Sequence, residues 1–233
     1  MHIFYIANIS GSKLELEEKE SRHAVKVLRL KKGNHVNLVD GKGGFYNAVI
    51  TEANPKKCRL SILHSQQEYG KKNFKIHIAI APTKNITRFE WFLEKATEIG
   101  IDEITPLLTE HSERKTIKHK RLQNILIPAM KQSQKAYLPI INELTSFGKF
   151  IKYCKEKEKF IAHCKSYETP HLKNIVKKDT DVLILVGPEG DFSPEELQSS
   201  LSNGFKEITL GHSLLRTETA GVVACLIVNL INE

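Results

Sequence analysis

The chain has 233 residues, with 35 Lys plus Arg against 27 Asp plus Glu and a formal charge of +8. That length suits one large or two modest domains, and the charge suits either a polyanionic partner such as RNA or an ordinary basic surface. Four cysteines, at positions 58, 154, 164 and 225, form no CxxC pair and no His/Cys ligand spacing. This excludes a zinc site or a disulfide framework as the basis of the fold and predicts reduced thiols and no metal.

The opening residues, Met1-His2-Ile3-Phe4-Tyr5-Ile6-Ala7-Asn8, lack the charged and apolar regions of a signal peptide, so the expected location is the cytoplasm. Short segments at 3–6, 35–39, 45–51 and 58–63 read as strands, separated by turn clusters at Asp40-Gly41-Lys42-Gly43-Gly44 and Asn54-Pro55-Lys56. The pattern predicts a small β-barrel over residues 1–70, interrupted by one short helix from about Ser21 to Leu28. Polar Gln66 to Asn73, containing Gly70-Lys71-Lys72, marks the boundary to a second domain at 71–233.

Beyond that boundary strands and helices alternate. A strand at 75–81 leads to a helix at 86–99 with Phe89, Phe92, Leu93 and Ala96 on one face, and a strand follows at 103–108. A second helix at 120–137 carries Leu122, Ile125, Leu126, Ala129 and Met130 as its apolar stripe and is expected to kink at Pro128. A helix near 147–155 and a strand at 160–164 come next. The alternation predicts an α/β domain with a mostly parallel sheet, whose ligands bind at the carboxyl ends of its strands.

Two glycine-bearing loops fall at such ends. Asp181 to Val186 is a Val/Ile/Leu run stopped by Gly187, Pro188 and Gly190; Ser193-Pro194-Glu195-Glu196 then opens a helix through an N-cap, a first-turn proline and a capping box, and Asn203-Gly204 ends it. Glu207 to Leu210 reads as another strand, broken by Gly211, after which Thr217 or Thr219 caps a last helix that is apolar nearly all round. That helix is too short to span a bilayer. No G-x-G-x-x-G follows the first strand of the α/β domain, which argues against a dinucleotide site.

The wording of the two loops, Gly187-Pro188-Glu189-Gly190-Asp191-Phe192-Ser193 and Leu210-Gly211-His212-Ser213-Leu214-Leu215-Arg216-Thr217-Glu218-Thr219-Ala220, resembles the signature of the RsmE family of SPOUT methyltransferases. Three other segments fall in the family's order: His23-Ala24-Val25-Lys26-Val27-Leu28-Arg29, Glu94-Lys95-Ala96-Thr97-Glu98-Ile99-Gly100, and Gln132-Ser133 with Pro139. The resemblance implies a SPOUT domain with a C-terminal trefoil knot, preceded by a PUA-like β-barrel, acting as a homodimer through the knotted domain. It implies methylation of N3 of one uridine in 16S ribosomal RNA with S-adenosylmethionine as methyl donor; a site this sparse in base-reading side chains is expected to act on the assembled 30S subunit rather than free RNA, with no membrane partner. The chain departs from the family's usual residues at His111, Lys131, Gln134-Lys135 and Asp191.

On this reading Gly187, Gly190 and Gly211 let backbone approach the cofactor, Leu185, Leu210, Leu214 and Leu215 wall its adenine, and Thr219 joins them, while His163 and Cys164 either line the pocket or simply end a strand, and Glu189 either joins it or braces its loop. Uridine N3 carries a weakly acidic proton whose loss places charge on the flanking carbonyl oxygens. Arg216, a permanent cation that accepts no proton, suits those oxygens. Glu218 is then the base or orienter, or else a carboxylate placed by the helix dipole. His23, Lys26 and Arg29 recur on one helix face and meet RNA, as do Arg88, Arg114 and Lys135, or they are solvated charges. Two rival functions stand beside this one: ribose 2′-O-methylation of another RNA such as tRNA, and a non-catalytic RNA-binding or assembly factor.

Overall fold

The computed structural model describes residues 2–164 and 169–233. They form two compact units, one of Met1–Lys71 with Met130–Leu138, the other of Lys72–Ala129 with Pro139–Glu233.

The first unit is a five-stranded sheet of β1 (Ile3–Tyr5), β2 (Lys13–Glu15), β3 (His35–Val39), β4 (Phe45–Glu52) and β5 (Arg59–Gln66), in the order β1-β3-β4-β5-β2. Only the β1–β3 pairing is parallel. Its core gathers Phe4, Leu16, Val36, Leu38, Ala48, Ile50 and Leu60. β2 escapes sequence patterning because only Leu14 of its three residues is even half-buried. The Asp40 to Gly44 turn is set by Asp40, whose Oδ1 accepts the N–H groups of Lys42 at 2.7 Å and Gly44 at 2.9 Å.

The helix expected over 21–28 begins earlier and then widens. α1 (Glu18–Arg22) passes into a π-helical turn at His23–Val27, closed by the Leu28 N–H on the His23 carbonyl at 2.9 Å. Buried Ser21 fixes the entry: its hydroxyl donates to the Leu16 carbonyl and accepts the Cys58 N–H, both at 2.9 Å. Arg29 lies past the turn, at φ 55°. The single helical face expected for His23, Lys26 and Arg29 therefore does not form, although all three side chains are exposed.

The second unit is a seven-stranded sheet of β6 (Ile76–Ile80), β7 (Glu103–Leu108), β8 (Ile140–Ile141), β9 (Thr145–Ser146), β10 (Glu158–Ala162), β11 (Val182–Val186) and β12 (Lys206–Ile208). The order is β12-β10-β11-β6-β7-β8, with β9 also on β7, and every pairing is parallel. β6 and β11 are buried along their whole length, which is why both read as unbroken apolar runs. The helices are α2 (Ile86–Ile99), α3 (His119–Gln132), α4 (Phe147–Tyr153), α5 (Leu172–Ile175), α6 (Pro194–Ser202) and α7 (Thr217–Asn232).

α2 buries Phe89, Phe92, Leu93 and Ala96, the face expected of it. α3 stops five residues before the expected end because Gln134 takes a left-handed φ of 57° and the Lys135 N–H turns back onto the Met130 carbonyl at 3.0 Å. The α6 capping box is present in both directions, Ser193 Oγ accepting the Glu196 N–H at 3.3 Å and Glu196 Oε2 accepting the Ser193 N–H at 3.1 Å. For α7 the expected cap is corrected: Arg216 holds the N-cap position, no side chain caps the helix, and Thr217 is buried inside its first turn. No described helix is long and apolar enough to cross a membrane.

Candidate active site

The chain steps from β10 to β11 and then back across β10 to β12. Where strand order reverses in this way, connections leave in opposite directions and open a crevice at the carboxyl ends. A cavity of about 420 Å³ lies there, lined by Ala162, His163 and Cys164 at the end of β10, by His171, Lys173 and Asn174 around α5, and by Ile208 to Leu215 and Ala220 from the end of β12 onward. Of the expected cofactor residues it brings together His163, Leu210, Gly211, Leu214 and Leu215.

Gly211 sits at φ 136°, and a Cβ built on it would meet no atom within 4 Å, so backbone faces open space there. Thr209 fixes the turn, its hydroxyl donating to the Gly211 carbonyl at 2.8 Å. Burial and the adjoining Lys173 and His212 charges hold the His171 ring below the ordinary histidine range. Its Nδ1 accordingly accepts the Lys173 N–H at 3.1 Å. Burial, then Asp191, pushes the Cys164 thiol up, so it stays protonated at neutral pH. His163 is buried, with Nε2 2.9 Å from Glu207 Oε1.

The other expected residues stand outside that lining. Leu185 is fully buried among Ala79, Leu107, Phe147 and Phe192. A Cβ on Gly187 would touch the Phe192 ring at 3.2 Å, and one on Gly190 would touch His111 Cβ at 3.1 Å. Glu189 Oε1 accepts the Lys84 N–H at 3.1 Å, bracing this loop against the one that follows β6. His111 places Nδ1 3.0 Å from both the Gly190 and the Asp191 carbonyls. Carbonyls only accept, so that nitrogen carries the proton. Thr219 is half-buried in the first turn of α7.

Between Leu215 and Ala220, both on the cavity wall, stand Arg216 and Glu218. Arg216 is exposed. The Glu218 side chain is 9% exposed and its Oε1 lies 3.9 Å from Arg88 Nε. Arg88 thus faces a carboxylate. Arg114 likewise points inward, Nε donating to the Thr83 carbonyl at 3.1 Å and one terminal nitrogen to the Lys84 carbonyl at 2.6 Å. Lys135 is half-buried in the first unit.

Sequence reasoning missed Ile208, Thr209, His171, Lys173 and Asn174. Pro170-His171 was the available signal, because His171 caps the single turn of α5. Chemically, the arrangement offers backbone and side-chain polar groups beside leucines in one cavity, with an exposed cation next to Leu215 in the chain and a buried carboxylate held near Arg88 in the first turn of α7.

An RNA methyltransferase domain model matches residues 70–229, and an RNA methyltransferase PUA domain model matches residues 16–63. Ribosomal RNA small subunit methyltransferase E of Rickettsia conorii is 30% identical over 96% of this chain and 92% of its own. The crystal structure of a probable rRNA-methyltransferase from Porphyromonas gingivalis superposes with a TM-score of 0.93 at 41% identity, covering 100% of this chain and 98% of that one. Ribosomal RNA small subunit methyltransferase E of Neisseria gonorrhoeae, bound to S-adenosyl methionine, does so with a TM-score of 0.90 at 26% identity, over 100% and 98% of the two chains. The chain belongs to the ribosomal RNA small subunit methyltransferase E family.

Proposed function

We propose that this protein methylates N3 of one uridine in 16S ribosomal RNA, using S-adenosylmethionine. The observation that carries the reading is the cavity after β10 and β12, whose lining residues Leu215 and Ala220 bracket Arg216 and Glu218 in the chain. Its volume of about 420 Å³ lies in the range of small-molecule sites, and the open backbone at Gly211 suits a nucleoside read by main-chain groups. The cofactor supplies a methyl carbon on a sulfonium, which breaks its carbon–sulfur bond as the carbon–nitrogen bond forms.

What remains falls to the chain's own residues. Leu210, Gly211, Leu214 and Leu215 hold the nucleoside end. Alignment of donor and acceptor alone is worth several kcal/mol, about 7–11 at best. Arg216 stabilises negative charge on the uridine carbonyl oxygens as the N3 proton leaves. Glu218 accepts or orients that proton, directly or through one water. The N–H groups at the start of α7, where Arg216 at the N-cap makes no side-chain cap hydrogen bond among the described residues, add positive potential.

Residues 1–70 serve as the PUA-like RNA-binding domain, with His23, Lys26 and Arg29 toward RNA, and 71–233 as the knotted catalytic domain. Two copies pair through the latter, and the enzyme works in the cytoplasm on the assembled 30S subunit. The test is incubation of the protein with labelled S-adenosylmethionine and small subunits from cells lacking their own such enzyme, followed by mass spectrometry of nucleosides. Labelled 3-methyluridine is expected. A 2′-O-methyl nucleoside would replace the reading with ribose chemistry, and cofactor binding without label on any subunit or RNA would leave a non-catalytic factor.

A further inference from the structure

α2 and α7 run side by side in the same direction, and three pairs mark their register. Cys225 Sγ points at the Ala96 carbonyl at 3.9 Å. A Cβ on Gly221 would lie 2.6 Å from Phe92 Cε2. Arg88 Nε lies 3.9 Å from Glu218 Oε1. Positions 88, 92 and 96 step along one face of α2, and 218, 221 and 225 along one face of α7, one helical turn per pair. The two inner pairs are buried, with Phe92, Ala96 and Cys225 all at 0% exposure. Close packing without slack stops the helices from sliding, so the outermost pair inherits a fixed separation.

The start of α2 is anchored as well. Asn85 caps it by accepting the Thr87 N–H at 3.1 Å, and the Thr83 hydroxyl donates to the Asn85 carbonyl at 2.7 Å. Arg114 clasps the carbonyls of Thr83 and Lys84, while Glu189 receives the Lys84 N–H. Arg88 therefore stands on a helix end tied to the glycine loop that follows β11. A cation in the first turn of a helix is placed against the dipole, so its position calls for a partner. Glu218, almost fully buried, is that partner. Arg216 makes no side-chain hydrogen bond or ion pair among the described residues and remains open to an incoming ligand.

We propose that Arg88 is a positioning residue for methyl transfer: it holds the Glu218 carboxylate in place in the first turn of α7, between the cavity-lining Leu215 and Ala220 in the chain, so that Arg216 is left free for the uridine. The proposal rests on the methyltransferase reading above. It assigns Arg88 an inward role in place of an RNA phosphate contact.

The test compares R88Q, R88K, E218Q and the R88Q/E218Q double variant on labelled S-adenosylmethionine and unmethylated small subunits. R88Q is expected to lower kcat about 10²-fold, the size of loss that a misplaced reacting group produces, with KM for the subunit and Kd for the cofactor nearly unchanged. R88K, which keeps the charge, should recover much of that loss. The double variant should be no slower than E218Q alone, because the two residues act as one unit. A raised KM and a reduced salt dependence of RNA binding at unchanged kcat would make Arg88 a phosphate contact and overturn the proposal. Losses that multiply in the double variant, or wild-type kcat in E218Q, would overturn it too. A wild-type protein that labels no subunit would instead remove the underlying reading, and the proposal with it.

Discussion

Asp191 Oδ2 accepts the Cys164 N–H at 3.1 Å, tying the loop after β11 to the end of β10, while its Oδ1 accepts the Phe192 N–H at 2.8 Å. The residue pays for this with a φ of 60°, where a non-glycine side chain costs about 1–2 kcal/mol. A glycine there would avoid that cost but could not make the bond. Asp191→Gly and Asp191→Ala lose the same two hydrogen bonds, each worth about 1 kcal/mol. Only alanine keeps the backbone cost, so it should melt at a lower temperature than the glycine variant. Thermal melts with the reverse order would mean that the left-handed backbone at 191 carries no strain.

Arg216→Ala should separate turnover from binding. Arg216 is exposed and is not among the residues that line the cavity, although its neighbour Leu215 is. Loss of one donor that stabilises developing charge costs about 10²–10³ in kcat. Calorimetric affinity for S-adenosylmethionine should stay within about threefold, since the apolar and main-chain contacts of the cavity lining are untouched. A parallel loss of affinity would make Arg216 a cofactor ligand.

What could be read from sequence were features whose cause is local. Ser193 and Glu196 announce their capping box by spacing alone, and the apolar run at 182–186 announces a strand covered on both faces. The cavity residues Leu210, Gly211, Leu214 and Leu215 were legible through the resemblance of their segment to the family signature, helped by a glycine that breaks the chain beside a strand, while His212 and Ser213 were not. Other features depend on partners far away in sequence. Arg88 reads as a solvated charge until α7 brings Glu218 to it, 130 positions later in the chain. Arg114 reads as part of a basic run until Thr83 and Lys84 present their carbonyls. β2 and α5, at three and four residues, are shorter than the window over which any period can be recognised.

Gly221 is needed for the closeness of α2 and α7. A Cβ there would meet Phe92 at 2.6 Å and Ile80 Cδ1 at 2.9 Å, and neither fully buried side chain has room to retreat. Gly221→Ala gains helix propensity of about 1 kcal/mol, but overpacking of a filled core costs about 1–3 kcal/mol. The expected net result is a Tm lower by a few degrees, with catalysis impaired further because the Arg88–Glu218 pair spreads apart. A variant more stable than wild type would show that the helices separate freely.

Acid stability should depend on Glu156. Burial opposes its ionisation, yet the His77 ring, with Nδ1 2.5 Å away, and nearby backbone N–H groups outweigh burial and hold the carboxyl below the ordinary value of 4.5. Because that carboxylate is the acceptor, His77 Nδ1 carries the proton, and Nε2 meets the Thr105 hydroxyl at 2.8 Å. A depressed folded-state pKa contributes stability above the unfolded value, and that stability is lost as pH falls through the folded value. Glu156→Gln should therefore unfold at lower urea than wild type at pH 7, with the gap closing below about pH 4.5. A gap that widens on acidification would reverse the sign.

The RNA side leads to a prediction about substrate form. His23, Lys26 and Arg29 are exposed on or just after a π-helical turn, a feature often found at functional sites. Three such side chains can meet phosphates or one splayed base, but they cannot read a long sequence. On the proposed reaction, selection of one uridine among many must then come from the shape in which the RNA is held, and assembled small subunits hold it in one shape while free RNA does not. At matched salt, kcat/KM on subunits should exceed that on naked 16S RNA by at least about tenfold, the equivalent of about 1.4 kcal/mol. Raising salt should weaken both substrates, since the phosphate contacts are common to them. Equal rates on the two would place recognition in the local sequence and require base-reading residues beyond these three.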